Sequence, residues 1–180
     1  MPAVSQLRIA TSVDAHAATP RPEHAGIVNG ATVTQAEYDE RWSFIVAIVA
    51  PGRKSQFDGQ QCGGSLIDDQ HVVTAAHCVA PRSGVLVNPR SIGVVANQRV
   101  LDRASAGSGE QRVRAVADVF LHPEFGANDQ DGLHFDIAVL RLAEPVANAK
   151  TIALVQPGDA AAWGNGAGAV NGFLAGWGNT

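Results

Sequence analysis

Basic clusters and long apolar runs are both missing from this chain. It carries 13 Lys and Arg against 17 Asp and Glu, for a formal net charge of −4, and no run of five basic residues occurs. Nucleic acids and anionic membranes select clustered Lys and Arg, so we expect neither as a partner. No stretch is long enough to span a membrane. The 46% of hydrophobic residues are still enough for a sizeable buried core.

Cysteine is equally scarce, because Cys62 and Cys78 are the only two. That count cannot establish an oxidising compartment. Any disulfide within the chain must join these two residues, and closing a loop of this size would contribute about 3 kcal/mol. The alternative is a zinc site that adds His71 and His77, although adjacent His77 and Cys78 could hardly face one ion. We expect no metal and no cofactor.

Residues 1–26 contain no sustained apolar segment, since Arg8, Asp14, Arg21 and Glu23 interrupt them. The chain therefore shows no signal peptide. Its composition, rich in Ala, Thr, Pro and His, predicts a flexible leader. A tail without a role and a propeptide fit this composition equally well.

Short apolar runs separated by Gly and Pro dominate the rest of the chain, which has 19 glycines and 9 prolines. This pattern predicts an all-β fold with many turns. The run at 43–49 is almost wholly apolar, as expected of a strand buried on both faces. The predicted strands are 43–49, 61–67, 71–74, 92–101, 112–121, 135–142 and 173–178.

Four segments carry specific motifs, and they occur in a definite order. They are IVNG at 27–30, CGGSLI at 62–67 together with VTAAHC at 73–78, DIAVLRL at 136–142, and GWGNT at 176–180. Over residues 27–180 the chain resembles the trypsin-like (chymotrypsin-family) serine proteases. The resemblance implies a six-stranded, Greek-key-type antiparallel barrel in 27–145, the first half of a double-barrel fold. Residues 146–180 would be the connection between barrels and the first strand of a truncated second barrel.

The same resemblance implies roles for individual residues. His77 would be the general base, Asp136 the acid that orients it, and Cys62 and Cys78 a disulfide. A lone aspartate at a strand end is usually just solvated, but the His77 motif favours the catalytic interpretation. In this family the nucleophile lies in a Gly-Asp-Ser-Gly-Gly segment, which does not occur in these 180 residues. We therefore expect a serine-type endopeptidase by resemblance, inactive as the chain stands, with a non-catalytic protease-like binding module as the alternative.

Activation and location follow from the family as well. Cleavage before Ile27 would free an ammonium that pairs with an aspartate beside the nucleophile. Gly26 precedes Ile27 where trypsin-activated relatives carry Arg or Lys, so the activating protease is not identified. The expected partners are a protein or peptide substrate and an activating protease, and the expected location is extracellular. His122, next to Pro123, is predicted to be a turn residue rather than a catalytic one.

Overall fold

The computed structural model describes residues 6–11, 30–80, 86–103, 113–126, 134–156 and 172–178. Within these ranges the fold is built mainly from strands, joined by short helical turns. The strands are β1 (Arg8–Thr11), β2 (Ala31–Thr32), β3 (Ile45–Val49), β4 (Gln60–Leu66), β5 (His71–Thr74), β6 (Gly93–Val95), β7 (Val113–Leu121), β8 (Ala138–Leu142) and β9 (Phe173–Gly176).

Six of these strands close into an antiparallel barrel. Their order around it is β3-β4-β5-β8-β7-β6, and β3 pairs with β6 to complete the circle. The chain passes from β5 to β6 on the far side of β3 and returns to β5 with β8, which gives a Greek-key arrangement. The predicted all-β fold with a six-stranded antiparallel barrel is thereby confirmed.

Strand β3 is buried along its whole length, as its sequence predicts. Because successive side chains point to opposite faces, Val46 and Ile48 pack inside the barrel. Ile45, Ala47 and Val49 pack into a second apolar cluster outside it. A strand with two buried faces needs apolar residues at every position, which explains the lack of alternation.

The second cluster lies beneath a small sheet in the order β2-β1-β9. Leu7 and Trp177 are fully buried in this cluster, and the Trp177 indole N–H donates to the Arg99 carbonyl at 2.8 Å. Strand β1 falls inside residues 1–26, whose assignment as a flexible leader or propeptide stays a prediction. Strand β9 pairs with β1, and its assignment to a second barrel stays a prediction.

Two helical turns interrupt segments that the sequence left as loops or unassigned. The turn α1 (Gln35–Glu37) starts at Thr34, whose side chain accepts from the Glu37 N–H while the Glu37 carboxylate accepts from the Thr34 N–H. The turn α2 (Gln56–Gly59) starts at Ser55, whose hydroxyl accepts from the Asp58 N–H. These are capping interactions, and they explain why part of the connection between the predicted strands 43–49 and 61–67 is helical.

Strand boundaries differ from prediction where the backbone turns left-handed. Within the predicted 92–101 strand, Gly93–Val95 forms the only strand, Asn97 follows with φ 55°, and Val100 makes an isolated antiparallel bridge with Gln6. The strand predicted at 135–142 begins at Ala138, because Phe135 has φ 52°. Among the described residues, no helix has the length and apolar content needed to cross a membrane. The domain limits at 26 and 145 stay predictions.

Candidate active site

His77 is presented to solvent by a turn anchored in the barrel. Strand β5 ends at Thr74, and Ala76–Cys78 forms one turn of 3₁₀-helix closed by the Val79 N–H donating to the Ala76 carbonyl at 3.0 Å. Ala76 and Val79 are fully buried in the barrel core. The His77 side chain between them remains 48% exposed. The imidazole is thus held by its buried neighbours and is still accessible to a ligand.

A disulfide between Cys62 and Cys78 ties this turn to strand β4. The alternative zinc interpretation can be tested here, because ligand atoms of Cys62, His77 and Cys78 all lie within 4.8 Å of one another. Disulfide sulfurs, however, are not the thiolates that zinc binds. His71 does not join this group, since its ring contacts Asp68. The residues therefore fit a structural disulfide better than a metal site.

Gly64, the second glycine after Cys62, allows β4 and β5 to approach closely. A Cβ at Gly64 would lie 2.6 Å from Val72 Cγ1 and 2.9 Å from the Val73 carbonyl oxygen. The Thr74 hydroxyl donates to the Gly63 carbonyl at 2.8 Å. This close packing positions the end of β5, and with it the turn that carries His77.

Asp136 is placed by an unusual backbone turn. Phe135 adopts a left-handed conformation, rare for a bulky residue, and the Ile137 N–H donates to the Phe135 carbonyl at 2.7 Å. The Phe135 ring stacks on His122, with centroids 4.6 Å apart and planes 8° from parallel. Strained backbone of this kind is found at functional sites. The sequence predicted His122 only as a turn residue, and no local pattern indicates its stacking partner.

The structure brings His77 and Asp136 together in a two-point contact. The His77 backbone N–H donates to Asp136 Oδ1 at 2.8 Å, and His77 Nδ1 lies 2.7 Å from Asp136 Oδ2. Partial burial raises the pKa of Asp136, but the hydrogen bonds from the His77 side chain and backbone outweigh it. The net effect is a pKa below the ordinary aspartate value, so the carboxylate is ionised at neutral pH.

An ionised carboxylate can only accept hydrogen bonds, so the neutral His77 ring must carry its proton on Nδ1. The lone pair is then on Nε2, the nitrogen that can take a proton from a substrate or nucleophile. In the described part of the chain, no serine hydroxyl is bonded to the His77 ring. Ser65, the serine of the CGGSLI motif, lies within strand β4.

Four of the five residues singled out from the sequence are described by the structure. His77 and Asp136 form one pair, and Cys62 and Cys78 form another. Ile27, the expected new N-terminus, lies outside the described residues. The stacked pair of His122 and Phe135 is the part of the site that sequence reasoning missed.

Comparison with known proteins agrees with this geometry. The family model for trypsin matches residues 27–180. Trypsin of Saccharopolyspora erythraea is 38% identical over 139 residues, which are 76% of this chain and 50% of that protein. Serine protease 1 of Canis lupus familiaris is 34% identical over 120 residues, covering 66% of this chain and 41% of its own length. Trypsin of Sus scrofa is 32% identical over 120 residues, which are 66% of this chain and 43% of that protein. The chain thus spans about half the length of these relatives or less, and it belongs to the trypsin family of serine proteases.

Proposed function

We propose that this chain forms part of a serine endopeptidase, with His77 as general base and Asp136 as the residue that orients it. The observation that supports this most directly is the two-point contact between His77 and Asp136. It holds the ring in one orientation and one tautomer and leaves the lone pair on Nε2, which lies 3.6 Å from the Cys78 sulfur. A protein or peptide is the substrate class that the family implies.

In this mechanism His77 Nε2 removes the proton from a serine hydroxyl as the oxygen attacks the scissile carbonyl. The imidazolium that forms is stabilised by the Asp136 carboxylate across the 2.7 Å contact. The same ring then gives its proton to the departing amine. Asp136 stays ionised throughout, which the lowered pKa of its carboxyl favours.

The nucleophile and the donors that stabilise the oxyanion are not recognisable in these 180 residues, which contain no Gly-Asp-Ser-Gly-Gly segment. Without them the chain lacks the attacking group and the stabilisation of developing charge. We expect the purified 180-residue chain to show no hydrolysis of peptide esters or amides. Hydrolysis that a serine-directed phosphonate blocks would overturn this expectation.

A hybrid enzyme tests the proposed roles directly. Residues 27–178 would be joined to the second half of Saccharopolyspora erythraea trypsin, the relative that is 38% identical. We expect the hybrid to cleave peptide esters, and His77→Ala to abolish cleavage. His71→Ala should leave cleavage within about twofold, because the His71 ring bonds to Asp68 in the adjacent turn and not to Asp136. A folded hybrid without activity would favour the non-catalytic binding module.

Activation by cleavage before Ile27 is part of the same proposal. The motif IVNG at 27–30 supports it, and residue 30 leads directly into strand β2. A hybrid beginning at Ile27 should be active, whereas one that retains residues 1–26 should need proteolysis first. We further propose that the protein works outside the cytoplasm, since the Cys62–Cys78 disulfide is stable only under oxidising conditions.

A further inference from the structure

A cavity of about 350 Å³ lies between the loop that follows β3, the turn Pro89–Ser91 and the first residues of β7. Neither His77 nor Asp136 lines it. Its volume is at the lower end of the range for small-molecule sites. The cavity is thus separate from the proposed catalytic pair and large enough for a small ligand.

Tight backbone packing forms one side of this cavity. A Cβ at Gly93 would lie 2.3 Å from Val113 Cγ1, 3.2 Å from Val49 Cγ2 and 3.3 Å from Pro51 Cγ, all in residues that line the cavity. Glycine at position 93 therefore lets β6 approach these walls. Together with Ile92, the side chains of Val49, Pro51 and Val113 give the cavity a mostly apolar surface.

Three arginines complete the lining: Arg53, Arg90 and Arg114. No Asp or Glu is found among the described residues that line the cavity. In a chain with a net charge of −4, this grouping of cations without a carboxylate is a local exception. The cavity therefore combines an apolar surface with positive charge.

No described residue neutralises these guanidinium groups with an ion pair. Across the part of the chain that the structure describes, none of the three forms an ion pair, whereas Arg141 pairs with Asp118. Among the described residues, the Arg114 guanidinium donates a single hydrogen bond, a long one of 3.5 Å to the Pro145 carbonyl. The three charges are thus available to an anionic ligand.

We propose that this cavity binds a small amphiphilic carboxylate, with its apolar body against the valines and Ile92 and its carboxylate on the arginines. Guanidinium groups recognise carboxylates through paired, charge-assisted hydrogen bonds. An apolar body of roughly ten carbons suits a cavity at the lower end of the small-molecule range. This inference goes beyond the proposed proteolysis, because none of its residues takes part in that chemistry.

Isothermal titration calorimetry of the 180-residue chain with decanoate, kept below its micelle concentration, tests the proposal without any activity assay. Decanol is the matched neutral probe, and we expect it to bind at least about tenfold more weakly. Arg90→Gln and Arg114→Gln should each weaken decanoate binding about tenfold, the usual effect of losing a charge-assisted hydrogen bond. Lys54→Gln is the matched control: it removes an exposed cation beside Arg53 that does not line the cavity, and it should change affinity less than about twofold.

Circular dichroism of each variant shows whether it is folded, so that loss of binding is not mistaken for unfolding. Equal affinity for decanol and decanoate would overturn the proposal, as would arginine variants that bind like the control. No binding to a folded chain would overturn it too. Tighter binding of a short peptide with acidic and aromatic residues would assign the cavity to a protein partner instead.

Discussion

Two histidine–aspartate pairs in this molecule have almost the same geometry. His77 Nδ1 lies 2.7 Å from Asp136 Oδ2, and His71 Nδ1 lies 2.8 Å from Asp68 Oδ2. The first pair joins residues 59 positions apart, and the second joins residues three positions apart in the turn between β4 and β5. The distance from a histidine ring to its aspartate carboxylate therefore does not by itself distinguish a catalytic pair from a structural one.

The surroundings of the two carboxylates do differ. Asp68 is 52% exposed and also accepts from the Gln70 and His71 backbone N–H groups, which is the usual bonding of an aspartate in a turn. Asp136 is only 21% exposed, and its contact with His77 joins the chain just after β5 to the chain just before β8, two neighbouring strands of the barrel. Turn formation explains the Asp68 pair completely. It does not explain the Asp136 pair, which requires the disulfide, the buried neighbours of His77 and the strained Phe135.

The pKa values of the two aspartates do not separate the pairs either. In both, burial raises the pKa, hydrogen bonds to the histidine and to backbone N–H groups outweigh it, and the net pKa is lowered. A lowered aspartate pKa is therefore weak evidence of function in this protein. Stronger evidence of function is that the His77 ring is held in place by residues distant from it in sequence.

The largest expected difference between the pairs is in catalysis by the hybrid enzyme. Asp136→Asn should lower kcat by about 10⁴-fold, the effect of the equivalent change in the general serine protease triad, because the ring loses its correct tautomer. Asp68→Asn should leave kcat within about twofold. Steady-state kinetics on a peptide ester measures both. Similar losses in the two variants would show that the pairs are not functionally distinct.

Removing the disulfide should destabilise the protein and loosen the His77–Asp136 pair but not the His71–Asp68 pair. Replacing Cys62 and Cys78 by serine should lower the free energy of unfolding by about 3 kcal/mol, measured by urea denaturation. The His77 turn loses its link to β4, whereas the Asp68–His71 turn keeps its local hydrogen bonds. NMR of the two rings should show greater mobility at His77 alone. Greater mobility at His71 would contradict this view of the anchoring.

The adjacent glycines in β4 offer a matched pair of smaller changes. Gly64→Ala should destabilise the chain by about 2 kcal/mol, because its Cβ would collide with Val72 and Val73. A Cβ at Gly63 would meet only the Val46 carbonyl oxygen, at 3.7 Å, which is an ordinary contact. Gly63→Ala should therefore lower the free energy of unfolding by less than about 1 kcal/mol. Thermal unfolding measures both. Equal losses would mean that close approach of β4 and β5 is not what the glycine provides.

The smallest expected effect is on pH dependence. A carboxyl whose pKa is lowered by folding stabilises the protein above its unfolded value of about 3.9, and that contribution is lost as pH falls through the lower folded value. His77→Ala should raise the pKa of Asp136 alone, and His71→Ala that of Asp68 alone. NMR titration of the carboxyl carbons below pH 5 measures each. A raised pKa at the other aspartate would show that the two sites are coupled.

Much of the fold was predictable because its strands have local signals. The β-branched run at 43–49 predicts β3, since burial on both faces requires continuous apolar sequence. The short apolar run at 71–74 predicts β5, in which buried and half-buried residues alternate. The beginning of α2 was missed because Ser55 can serve a loop or a helix cap equally well. The leader strand β1 was missed because its pairing with β2 and β9 depends on residues far away in sequence.

The sequence by itself determined the family, the order of the motifs and the identities of the base and acid candidates, because these depend on residue types in a fixed order. Only the tertiary structure decided that His77 and Asp136 meet, that Phe135 stacks on His122, and that three arginines share one cavity. Each of these contacts joins residues that are distant along the chain. Closing the barrel brings them together, and no local pattern of residues records which of them become neighbours.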